Sequence, residues 1–141
     1  MRTVLHTESS PGLGGQELRT LSEARWIAER GWRVLLAGQP DGRFVGQAHA
    51  AGLEAVGVRM RGAWDLGAVC ALRRLIRREQ VSIVHTHSSV DGWVGGLAAR
   101  VTGVPSCGRA MSRSAYDGTG TLSIAGSLIG SSPAERRSGA S

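Results

Sequence analysis

RTVLHTESSPGLGGQELRTLSEARWIAERGWRVLLAG, residues 2–38, decides the fold through the way its apolar runs are punctuated. RTVLHT reads as a short apolar strand and SSPGLGG as a glycine-rich loop. In QELRTLSEARWIAERG, the residues Leu18, Leu21, Ala24, Ile27 and Ala28 fall on one stripe at helical spacing, and Gly31 supplies a stop. WRVLLAG then runs apolar without interruption, the pattern of a strand covered on both faces. Strand, loop, helix and covered strand together make a crossover unit, and such units build parallel sheets.

The alternation continues outward from this stretch. QPDGR is a turn, RFVGQAHAAG a short helix ending at Gly52, and LEAVGVRM a third strand. WDLGAVCALRRLIRRE, residues 64–79, is an amphipathic helix whose buried stripe is expected to be Leu66, Val69, Cys70 and Leu72 or Arg73. VSIVHTH is a strand that turns polar at its end, and VDGWVGGLAARVTGVP a small-residue helix followed by the opening of a further strand. The order βαβαβαβα predicts an α/β fold, a parallel sheet flanked by helices, with no internal sequence repeat. After Pro105 the pattern stops. The 36 residues from Ser106 hold nine serines and six glycines, and only IAGSLIG is apolar. The expected division is a domain over 1–105 and an irregular, low-complexity, disordered tail over 106–141. A sheet that ends at four strands would leave an open edge.

Composition bounds the function. At 141 residues the chain makes one modest domain, and with 41% hydrophobic and 20% charged residues it reads as globular. No apolar run approaches membrane-spanning length, and MRTVLHTESS is no signal peptide, so a cytoplasmic location is expected. Cys70 and Cys107 form no CxxC pair and read as free thiols rather than a zinc or disulfide framework. All 17 basic residues are arginine, and the net charge is +6. Arg73, Arg74, Arg77 and Arg78 cluster opposite Leu72, Leu75 and Ile76; the plain reading is a solvated helix face, the alternative a contact with acidic membrane or an acidic partner. Nucleic acid is disfavoured: one Tyr and one Phe give little stacking surface, even with four tryptophans.

Two motifs carry chemistry. SSPGLGGQE joins a strand to a helix, where backbone N–H groups and the positive helix end can meet phosphate. It is not a dinucleotide fingerprint, since Glu17 stands where the last glycine belongs, nor a Walker A loop, since no GK[ST] follows. Gly14 and Gly15 are thus either turn residues or ligand contacts. VHTHSSVDG places His85, His87, Ser88, Ser89 and Asp91 at the carboxyl end of the fourth strand, where open α/β sheets gather ligands. His85 and His87 share a strand face, which suits a metal, but no third ligand has a plausible spacing and none is expected. Ser88 or Ser89 either caps the next helix or binds substrate, and His85 reads equally as a structural histidine. No GxSxG elbow occurs, and Glu8, Glu17 and Asp91 form no acid/base pair by spacing. Spacing alone leaves the reaction open.

Taken together, VLHTESSPGLGGQELRTLSEA, GWRVLLAGQPDG and SIVHTHSSVDGWVGGLAARVTGVP resemble the N-terminal domain of glycosyltransferase family 4, retaining sugar-nucleotide transferases of GT-B fold. The resemblance covers about residues 1–105. It implies a Rossmann-like domain that mainly holds the acceptor, with a C-terminal domain, missing here, gripping the nucleotide-sugar. It further implies that Gly14 and Gly15 lie in the loop near the donor diphosphate, and that His87, Ser88, Ser89 and Asp91 face the cleft. The parent enzyme would transfer a hexose-like sugar to a cell-surface glycan or lipid-linked acceptor, with a nucleotide-sugar as substrate and no cofactor. It would lie in the cytoplasm, peripheral at the inner membrane face. Such a relative would continue after GVP roughly as VVRTRHVS, and a shifted reading of the codons under SCGRAMSR permits that run. A frameshift near Ser106 is therefore expected, leaving an isolated chain that is inactive and marginally stable. The alternative is a non-catalytic module that binds a nucleotide, sugar or protein.

Overall fold

The computed structural model describes residues 1–108; the expectations for 109–141 lie outside the described residues. Four helices alternate with five strands: β1 (Thr3–Glu8), α1 (Gly15–Ala28), β2 (Arg33–Gly38), α2 (Arg43–Ala50), β3 (Glu54–Gly57), α3 (Leu66–Arg78), β4 (Ile83–Thr86), α4 (Ser89–Thr102) and β5 (Ser106–Gly108). All pairings are parallel and the spatial order is β3-β2-β1-β4-β5. β1 therefore lies centrally, pairing with β2 from Thr3↔Arg33 to Glu8↔Gly38 and with β4 from Val4↔Ile83 to Thr7↔Thr86. This is the α/β, Rossmann-like sheet expected.

Both faces of the central strands are covered, which is why β2 reads as an unbroken apolar run. Leu5, Leu35, Ala37 and Val84 point into a core with Leu72, Leu75 and Ile76 of α3 and Val94, Ala98 and Ala99 of α4. Val34 and Leu36 point the other way, onto Ala24 of α1 and Phe44 and Ala48 of α2. Alternate residues on a strand face opposite sides, so each strand feeds both cores. Gly31, Gly52 and Gly103 adopt positive φ after α1, α2 and α4, and the first two are the stops read from sequence.

Two expectations are corrected. The buried stripe of α1 is Glu17, Thr20 and Ala24, with Leu21 and Ile27 packed alongside, while Leu18 is 53% exposed. In α3 the stripe runs Ala68, Val69, Leu72, Leu75 and Ile76; Leu66 and Cys70 sit on the solvent side. Both stripes are rotated by about one residue, because α1 and α3 turn their polar or small positions, Thr20 and Ala68, toward the sheet. The further strand expected to open after VTGVP is present as a fifth strand. β5 begins at Ser106, past the expected boundary, and pairs with β4 through Val84↔Ser106, His85↔Cys107 and Thr86↔Gly108. A three-residue exposed edge strand carries almost no hydrophobic signal of its own.

Candidate functional site

β1 sends its connection to one side of the sheet and β4 sends its to the other, so the crevice between their carboxyl ends is a topological switch point, where open α/β sheets place ligands. Thr7 of β1 and Ser9 of the loop that follows meet His87, Ser88 and Asp91, at the end of β4 and the start of α4, there. Ser9 Oγ lies 2.6 Å from Ser88 Oγ. Thr7 Oγ1 donates to Asp91 at 3.1 Å, and the His87 and Ser88 amides donate to the same carboxylate at 2.7 and 3.0 Å. The Ser88 hydroxyl also donates to Asp91. α4 can come this close because position 95 is glycine: a Cβ there would stand 3.1 Å from Thr86 Cγ2 and 3.2 Å from Thr7 Oγ1.

The other face of the same two strands carries three imidazoles. Parallel pairing sets His6 beside His85, and His87, two residues on, shares their face. His6 is fully buried, its Nδ1 2.9 Å from His87 Nε2. The His6 and His87 rings stack with centroids 5.1 Å apart, and His85 lies 5.0 Å from His6 and 4.3 Å from His87. Burial, then repulsion by His87 and His85, lowers His6 to about 3. Burial, then His85 and Arg19, lowers His87 to about 4. Both rings are therefore neutral at physiological pH. Beside them opens a recess of about 390 Å³, walled by Gln16, Arg19, Thr20 and Glu23 of α1 and by His85 and His87. A guanidinium, an amide, a hydroxyl and neutral imidazoles around one hollow suit a hydroxylated or phosphorylated ligand.

Glu8 closes the end of β1. Its buried carboxyl accepts from the Ser10 amide at 3.1 Å and Gln16 Nε2 at 2.9 Å. Burial nonetheless pushes it above the usual carboxylate range, with Asp91 and Glu17 adding repulsion. The three carboxylates that spacing could not relate are thus neighbours, though each is held by internal hydrogen bonds.

The sequence candidates fall in different places. His87 lines the recess. Ser88 is the N-cap of α4 and Ser89 its exposed first residue. Asp91 is fully buried and engaged with Thr7, His87 and Ser88, so it positions the strand end. Gly14 is the N-cap of α1, and its amide donates to Glu17 at 2.7 Å. Gly15 opens the helix with no atom within 4 Å of where a Cβ would stand, so internal packing gives no reason for glycine there. Of the arginines on α3, Arg78 pairs with Glu79 at 2.7 Å and Arg73 is half-buried, leaving Arg74 and Arg77 as free exposed charges among the described residues. The sheet brings a third imidazole, His6, beside His85 and His87, which spacing along the chain could not show. Arg19 and Glu23 were also missed; their i, i+4 spacing from one another, with Gln16 three residues earlier, was the available signal.

The model of glycosyltransferase family 4 matches residues 13–108, from the glycine loop through β5. The chain belongs to glycosyltransferase family 4. Over 60 residues it is 37% identical to UDP-Gal:alpha-D-GlcNAc-diphosphoundecaprenol alpha-1,3-galactosyltransferase of Escherichia coli, a stretch covering 43% of this chain and 16% of that protein. Among solved structures, MurG of Acinetobacter baumannii aligns with a TM-score of 0.65 at 20% identity, over 77% of this chain and 34% of that one. HepE of Anabaena, in complex with UDP-glucose, aligns with a TM-score of 0.64 at 16% identity, over 77% and 29%. These likenesses place the family 4 chain in the GT-B class, on the N-terminal domain. The chain spans about a third or less of the length of each of these relatives. Among the described residues no helix is long and apolar enough to cross a membrane.

Proposed function

We propose that this chain is the acceptor-side half of a retaining, nucleotide-sugar-dependent transferase that adds a hexose to a lipid-linked or cell-surface glycan. The observation that carries the reading is the polar recess at the β1–β4 switch point, with Arg19 and His87 on its wall. The diphosphate-linked acceptor in the name of the E. coli relative supplies the chemical class: a sugar joined to a lipid through two phosphates. Arg19 meets the phosphate charge and His87, a neutral imidazole, orients a sugar hydroxyl. In a retaining transfer the leaving diphosphate and incoming hydroxyl share one face of the donor sugar, and fixed dipoles stabilise the developing charge. Gly15 is the point of closest approach for the donor phosphates, because it opens a helix N-terminus and has nothing internal to accommodate. No step requires a resident cofactor.

Calorimetry of the chain with a short-chain GlcNAc-diphosphate lipid tests this directly. Binding that Arg19→Ala and His87→Gln each weaken about tenfold supports it; equal binding by both variants, or none by the wild type, removes it. Affinity for UDP alone, unchanged in those variants and without turnover, would favour a non-catalytic binding module instead. Donor transfer needs the nucleotide-sugar domain. The change of reading frame near Ser106 is part of the same proposal, and sequencing of independent DNA through all frames tests it: a frame resuming with an RTRH-like strand is the expected result.

The enzyme is further proposed to rest on acidic membrane at the cytoplasmic face. Supporting this, Trp64 is 83% exposed, stacks on Trp93 with centroids 5.7 Å apart, and leads into the helix bearing Arg74 and Arg77. Exposed indoles beside cations suit a lipid headgroup layer. Sedimentation with phosphatidylglycerol vesicles should fall on Trp64→Ser or added salt; binding that ignores both refutes the contact.

A further inference from the structure

We infer that His6, His85 and His87, brought onto one sheet face by strands β1 and β4, form a binding site for a divalent first-row transition-metal ion, zinc in particular. One ring nitrogen from each lies within 4.8 Å of the other two. Zinc holds imidazole nitrogens at about 2.0–2.1 Å, so two ligands of a tetrahedral ion stand roughly 3.3 Å apart. His6 Nδ1 and His87 Nε2, at 2.9 Å, are already near that spacing. The backbone under them is a pair of hydrogen-bonded central strands, His6 opposite His85. Closing the set therefore takes side-chain rotation alone.

Two further observations favour an ion over packed rings. Glu23 Oε1 stands 3.6 Å from His85 Nδ1. A carboxylate behind the ring is how proteins orient a metal-binding histidine, and it leaves His85 Nε2 free for the ion. His6 Nε2 is buried with no hydrogen-bond partner among the described residues, so no protein group there fixes which ring nitrogen carries the proton, and Nδ1 can offer its lone pair to an ion. Three nitrogen donors leave a fourth position on the recess side, where Gln16 and Arg19 lie, open to water or to an anionic oxygen. Imidazole-only donors select zinc, copper or nickel over magnesium or calcium.

The test uses the full 141-residue chain, stripped with chelator and titrated with cobalt(II), then with zinc(II) against a chromophoric chelator. The expected result is one ion per chain with four- or five-coordinate cobalt bands. His85→Gln and His87→Gln should each weaken zinc binding at least tenfold. Glu23→Gln should weaken it by about 10- to 100-fold while leaving the cobalt bands in place, the signature of a residue acting through a ligand. His49→Gln, remote on α2, should change nothing. In the wild type, imidazole NMR signals report the same assignment without any variant: zinc should move those of three of the four histidines. Octahedral cobalt spectra, affinity that survives both His85→Gln and His87→Gln, or zinc shifts confined to His49 would overturn the site.

Discussion

Replacing Asp91 tests how the strand end is built. Its carboxylate is fully buried and accepts from Thr7 Oγ1, the His87 amide, the Ser88 amide and the Ser88 hydroxyl. Hydrogen bonds to a charged group are worth about 1.5–3 kcal/mol each, but they are not additive. Asp91→Ala leaves two backbone amides and the Thr7 hydroxyl without an acceptor, although Ser88 keeps Ser9 at 2.6 Å. The expected loss is about 3–5 kcal/mol, a large part of the ~5–15 kcal/mol that holds a small domain together. Asp91→Asn keeps one acceptor oxygen but turns an NH₂ toward a donor, so about half that loss follows. Thr7→Val removes only one of the four bonds, and about 1 kcal/mol is expected. Urea unfolding followed by tryptophan fluorescence ranks the three, and the Asn and Val variants keep the series readable should the Ala variant not fold. A loss below 1 kcal/mol for Asp91→Ala, or a larger one for Thr7→Val, refutes this account of how β1, β4 and α4 are joined.

Gly38→Ala would set a Cβ 2.8 Å from Phe44 Cδ1 and 3.2 Å from Val45 Cγ2, so overpacking should lower stability by about 1–3 kcal/mol in the same urea assay. Gln80 follows α3 with a φ of 50, the left-handed region, and Gln80→Gly should raise the unfolding midpoint by the equivalent of about 1 kcal/mol. Burial raises the folded-state pKa of Glu8, so the stability it contributes is fully present below its unfolded value and is lost as pH rises through the folded one. Glu8→Gln should therefore flatten the stability profile from pH 4.5 upward, and an unchanged profile in that variant would assign the dependence elsewhere.

What the linear text carries and what it leaves out follow from physics. Each crossover unit is local: WRVLLAG announces a covered strand and Gly31 a helix end within a few residues, so alternation was legible without any neighbour. Helix faces were less so. Leu18 and Leu66 are apolar yet exposed, because the stripe that meets the sheet is set by contacts with strands far along the chain, and Thr20, at 1% exposure, outweighs Leu18 there. β5 offered Ser106, Cys107 and Gly108, residues with no strand signal, and takes its place by pairing with β4 and lying against α4.

The candidate site divides along the same line. His85 and His87 are two residues apart, and strand periodicity alone puts them on one face. His6 stands 79 residues before His85, and nothing between them states that β1 and β4 are neighbours. The alternation βαβαβαβα is satisfied by several strand orders; it is the adjacency of β1 and β4 in the order β3-β2-β1-β4-β5 that sets His6 opposite His85. The reversal at β1 that creates this pairing also opens the crevice in which a ligand can sit. The same topological step thus assembles the histidine set and exposes its outer edge to the recess shared with Arg19. A site made this way is invisible to spacing rules, which see i, i+2 and i, i+4, and becomes visible once the strand after which the chain changes direction is known.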